Sequence, residues 1–216
     1  MNVLVPSKIE TEDELNQWFS YFYLDPKPKL ASQAISFSLK CGDLDRVEIS
    51  HVNLAFYGML LRCYPDQVKE IVKLFSILPI EYEHFIFGVL WMCNSKESKR
   101  ELENFKKETE ALNELINQEP FDLLTRRVSS PEHLDMIWAE FMVTGKKEYV
   151  TKVIESLGLD GIIGGLAGWS LISMGYQHTR ILEICREEVK TISISLKPLL
   201  IDVINISEEK IKAKNN

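Results

Sequence analysis

Thr11-Glu12-Asp13-Glu14-Leu15-Asn16-Gln17-Trp18-Phe19-Ser20-Tyr21-Phe22-Tyr23 decides the fold class. Thr11 followed three residues later by Glu14 is a capping-box pattern. The hydroxyl accepts from the backbone N–H at 14, and the carboxylate reaches back to the N–H at 11. Apolar residues then recur at Leu15, Trp18, Phe19, Phe22 and Tyr23. That spacing lines one side of a helix, whereas a half-buried strand would alternate every second residue. Asp25-Pro26-Lys27-Pro28 ends the element, because proline lacks an N–H and restricts the residue before it.

The same pattern recurs along the chain. A second helix carries Leu30, Ala34, Ile35 and Leu39, with Gly42 as a C-terminal cap. A third, from about Ser50 to Cys63, is apolar on most faces and therefore central. Tyr64-Pro65-Asp66 turns into a fourth with Val68, Ile71, Val72 and Phe75, ended by Leu78-Pro79. A fifth runs from roughly Glu81 to Cys93, and Asn94-Ser95 turns into a charged sixth with Leu102, Phe105, Leu112, Leu115 and Ile116. An irregular link with a short helix near Phe121 to Arg126 precedes Ser130-Pro131, an N-cap followed by proline at the first helical position. That seventh helix carries Leu134, Met136, Ile137, Trp138, Phe141 and Met142, and the eighth carries Val150, Val153, Ile154 and Leu157. The ninth starts within Gly158 to Gly168 and ends at Gly175; its apolar run, Gly161 to Gly175, reads as a buried helix. The tenth begins near His178, Pro198 breaks it or starts a last helix through Leu200, Val203 and Ile204, and the tail from Lys210 is expected to fray.

This predicts an all-α chain of about ten helices in antiparallel pairs, either solenoid-like or an irregular bundle. One domain over residues 1–216 is expected, with a weak sub-division near 117–130. Each pair sets an aromatic-rich helix before an amphipathic one, with Trp18, Phe56, Phe85 or Trp91, Trp138 and Trp169 in the first helices. A single pair cannot bury its apolar side, so stacked pairs would share one core filled by those aromatics. The run His133-Leu134-Asp135-Met136-Ile137-Trp138-Ala139-Glu140-Phe141 with Thr144-Gly145, and Trp169-Ser170-Leu171 with His178, resembles irregular tetratricopeptide-like or HEAT-like bacterial proteins. The resemblance implies a helical-repeat fold and carries no activity and no site residues.

Chemistry-bearing patterns are sparse. His51, His84, His133 and His178 make no metal-ligand spacing, and no serine or cysteine sits in a Gly-x-Ser-x-Gly turn. Cys41, Cys63, Cys93 and Cys185 are widely separated, which fits reduced thiols. Gly161-Ile162-Ile163-Gly164-Gly165-Leu166-Ala167-Gly168 lacks the Lys-Ser or Lys-Thr of a phosphate loop. Its glycines share a helical face that another backbone could approach. No cofactor or metal is expected.

A net charge of −7 and a pI near 5.3 oppose phosphate backbones, so nucleic acid is not an expected partner. The longest apolar run is about 15 residues, short of the roughly 20 of a membrane span, and the amino terminus lacks a secretory pattern. A cytoplasmic location is expected. The leading functional expectation is a non-enzymatic interaction or scaffold module that presents a groove to a protein or peptide partner. Arg126, Arg127, Trp138 and Trp169 are its candidate partner-binding residues. The alternatives are a homo-oligomer, such as a homodimer, or an enzyme using carboxylates such as Glu83, Asp135 and Glu140.

Overall fold

The computed structural model describes residues 5–79, 82–105, 117–120 and 122–215. Among these the chain forms eleven α-helices linked by short 3-10 turns, and no strand. It divides into two compact units: Met1–Phe121 with Met142–Gly145, and Asp122–Phe141 with Lys146–Asn216.

The first unit contains α1 (Glu12–Tyr21), α2 (Ala31–Lys40), α3 (Val47–Cys63), α4 (Val68–Val72), α5 (Glu83–Cys93) and α6 (Lys96–Phe105). The capping box of α1 is formed: the Glu14 N–H donates to Thr11 Oγ1 at 3.2 Å and the Thr11 N–H to Glu14 Oε2 at 3.0 Å. Trp18 and Phe22 are fully buried and meet Phe56 of α3 edge-on at 5.3 and 5.7 Å between centroids, while Phe19 stacks on Phe56 at 3.8 Å. The edge-on contacts suit the ring quadrupole better than the face-on stack of Phe19 does. The Trp18 indole N–H donates to Lys27 O at 3.2 Å, so the cluster buries its polar handle satisfied.

α3 and α5 pack closely because Gly58 has no side chain; a Cβ there would stand 2.5 Å from Met92 Cβ. The Arg62 guanidinium crosses the same seam and closes the end of α5, donating to Met92 O at 2.6 Å and Cys93 O at 3.1 Å. Those carbonyls have no partner within their own helix. Ser95 and Ser98 then exchange backbone-to-hydroxyl bonds at 3.0 Å, which starts α6.

The second unit contains most of α7 (Pro131–Thr144), then α8 (Lys147–Glu155), α9 (Ile162–Gln177), α10 (Thr179–Glu188) and α11 (Lys197–Asn215). α9 is its central packing element, in contact with α8, α10 and α11. Ser207 of α11 is fully buried against α9, and its hydroxyl donates to Val203 O at 2.8 Å and Ile172 O at 3.4 Å. Ion pairs Arg186–Glu208 and Lys147–Glu188, each 2.7 Å, tie α10 to α11 and α8 to α10.

Several local expectations change. Residues 122–126 make a turn, with Arg126 N–H bonded to Asp122 O at 3.0 Å, instead of a short helix. Gly175 does not end α9, which runs to Gln177; the glycine sits inside the helix where Ser207 comes close. Pro198 lies in the first turn of α11, where its missing N–H costs nothing. The tail, expected to fray, is helical to Asn215; Lys-Ile-Lys-Ala-Lys favours helix and Lys214 rests over the Tyr176 ring at 5.1 Å. Leu112, Leu115 and Ile116, the outer seam expected for the charged sixth helix, lie outside the described residues.

Candidate functional site

A helix of 16 residues with no charged side chain should be covered all round. α9 is not. Ala167, Leu171 and Gly175 are buried on its inner side. On the opposite side Ile162 is 70% exposed and Trp169 67%. The exposed positions Ile162, Gly165 and Trp169 continue into the half-buried Ile172 and Tyr176, a row that advances in steps of three and four, the spacing at which one helix receives another. The expected fully buried ninth helix is therefore only half covered, and Trp169 departs from the expectation that the aromatics fill a core.

The helix start explains how this stripe is held. Gly161 has φ 74°, a conformation a side chain strongly disfavours, and open space around it. Three residues later a Cβ on Gly164 would collide with the Leu159 carbonyl oxygen. The glycine face thus admits the chain's own 157–159 segment at Gly164. Gly165 has no neighbour there within 4 Å. Beside it runs a groove of about 350 Å³, floored by Gly164, Gly165 and Gly168 and walled by Leu199 and Ile206 of α11. Leu199 and Ile206 are themselves 45% and 40% exposed. Asp202 also lines the groove; it is exposed and makes no ion pair among the described residues.

The other candidates fall in different places. Arg126 and Arg127 are both exposed in the turn before α7. Trp138 is buried at 7% and packs edge-on against Phe141 at 6.0 Å, with its indole N–H lacking a hydrogen-bond partner among the described residues. It is a core residue, and Trp169 alone of the two presents its ring to solvent. Phe85 and Trp91 of the first unit are half-buried.

The titratable groups are arranged as packing residues. Burial pushes His178 down to about 4, so its imidazole is neutral at pH 7. Burial pushes the Cys185 thiol up to about 12, so it carries no thiolate nucleophile. His133 is lowered, first by burial and then by the Arg126 charge. Asp135 is exposed and Glu140 buried, five residues apart on α7 and so on different faces. Glu83 belongs to the first unit. Among the described residues no three of His, Cys, Asp and Glu gather as a metal ion requires, and no helix is long and apolar enough to cross a membrane. The first unit has a notch of about 140 Å³ lined by Trp91, Asn94, Lys99 and Glu119. There Asn94 and Lys99 bond Glu119 at 2.9 and 3.2 Å and lower its pKa.

Chemical geometry and exposure thus single out the α9–α11 face. Neither known family models, curated proteins nor solved structures provide a match to this chain.

Proposed function

We propose that the chain is a non-enzymatic protein-interaction module, with the α9–α11 face of its second unit as the docking surface. The observation that carries this reading is the bare apolar stripe on α9. Isolated exposed apolar residues are ordinary, but Leu199 and Ile206 line the groove, and Ile162 and Trp169 stand exposed on α9 beyond its glycine floor. A rigid tryptophan beside a small-residue floor is the kind of anchor that concentrates binding energy. The loose helix-pair repeat, a protein or peptide ligand, and a reducing cytoplasmic setting belong to the same proposal.

The test is affinity capture from source cells with the unaltered protein and with Trp169→Asp, both checked for helical content. The reading expects a stoichiometric protein retained by the first and lost with the second. Retention of the same protein by both, or of none by either, would remove the face from consideration.

A further inference from the structure

The charges around the groove go beyond naming it as a docking site; this step rests on that reading. α9 contributes no charge over Ile162–Gln177, so the rim electrostatics come from α11 and from the loop before α9. On α11, Asp202 and Glu209 are seven residues apart, about two turns, and lie on the same flank of Ile206. Both are exposed, and neither forms an ion pair among the described residues. Asp160, also exposed and without an ion pair, stands at the N-terminal end of the groove between Leu159 and Gly161. Lys210 and Lys212, both exposed, stand beside Glu209 at the far end and the exposed Lys197 opens α11, while Lys214 is engaged over Tyr176, so the acidic end of the groove is that of Asp160 and Asp202. Arg186, the nearest arginine on α10, is already bonded to Glu208 at 2.7 Å.

We propose that the occupant of this groove is a basic amphipathic α-helix. Its apolar side packs on Ile162, Gly165, Trp169 and Ile172, and lysines or arginines on its flank face Asp160, Asp202 and Glu209. A helix is favoured over an extended strand because the bare stripe advances in steps of three and four and no sheet edge is offered. The 16 residues of α9 set its length at about four turns, roughly 24 Å. Gly165 and Gly168 let its backbone come close. The three carboxylates supply register and faster encounter more than affinity.

Synthetic 18-residue helical peptides test this directly with the full chain. One carries leucines at the two heptad seam positions and lysines elsewhere; its twin carries glutamates in place of the lysines. Binding is read from Trp169 emission and from calorimetry. The lysine peptide is expected to bind at least about tenfold more tightly than the glutamate twin, the ratio of about 1.4 kcal/mol. The double variant Asp202→Lys/Glu209→Lys is expected to invert that order, and Gly165→Glu to abolish binding of both. Equal binding of the two peptides, binding of neither, or an order unmoved by the double variant overturns the proposal. So does self-association in sedimentation that the double variant leaves intact and that Trp169→Asp abolishes, because then a second copy fills the face. If peptide binding fails while cellular capture still depends on Trp169, the basic-helix partner falls and the docking surface stands.

Discussion

Trp18 and Trp169 each sit inside a helix, the first amphipathic and the second without a charge, and occupy opposite places in the structure. In the first unit Trp18 has no exposed surface, meets Phe22 and Phe56 edge-on, and donates its N–H to Lys27 O. In the second, Trp169 is 67% exposed on a helix whose inner residues Ala167 and Leu171 are fully buried. Helical spacing says which residues share a face; whether that face is covered depends on whether the chain supplies a helix opposite. α3 covers α1, whereas the outward side of α9 is left bare.

The sharpest way to break this contrast is to truncate the buried member. Trp18→Ala should cost about 3–5 kcal/mol, the usual result of emptying a large aromatic site in a packed core. Chemical denaturation of the full chain measures it. A loss below about 1 kcal/mol would mean that the aromatic cluster collapses readily around the gap and is not the anchor of the first unit.

Acid should act next most strongly, and on the second unit. His178 is buried at the start of α10 with its pKa depressed from 6.5 to about 4. The unfolded chain therefore binds a proton that the folded chain refuses between those values. The stability is fully present above pH 6.5 and erodes as pH falls towards 4, by about 3 kcal/mol if the whole shift is realised. His178→Asn, which keeps a good N-cap residue, should flatten that part of the pH–stability curve. If the variant and the parent lose stability in parallel across this window, the imidazole is not responsible.

Glycines separate the covered and bare faces at smaller magnitude. Gly58→Ala must push a Cβ against Met92 Cβ and its backbone, and should cost about 1–3 kcal/mol. Gly165→Ala meets nothing within 4 Å in the middle of a helix, and should raise stability by up to about 1 kcal/mol. Thermal unfolding of the two variants side by side gives the signs. Destabilisation by Gly165→Ala would place some part of the chain against that face.

Where structure depends on near neighbours in sequence, it was readable. The Thr11–Glu14 box, the Ser130-Pro131 helix start and the breaks at Pro26 and Pro65 involve contacts a few residues apart. The end of α5 was not, because the Arg62 side chain that caps it comes from about 30 residues away in the chain. Nor was the continuation of α9 past Gly175, which turns on Ser207 packing from α11. The candidate surface left a partial trace: no Asp, Glu, Lys or Arg occurs between Asp160 and Arg180. Such a run signals burial by something. Sequence periodicity does not distinguish burial by the chain itself from burial by a partner, so the run reads as a buried helix.

Trp169→Ala is the mildest substitution and the one that most directly sharpens the comparison with Trp18. An exposed side chain away from caps, cores and ion pairs should change stability by no more than about 0.5 kcal/mol when removed. The same substitution removes the largest apolar group from the docking face, where a central tryptophan is worth about 2 kcal/mol or more to a complex. Denaturation and partner retention must therefore separate: folding unchanged, binding lost. That separation is what distinguishes a docking residue from a core residue, since a packed tryptophan loses both together. If Trp169→Ala costs the folded chain as much as Trp18→Ala, the ring is packed in solution and the α9 stripe is interior surface after all.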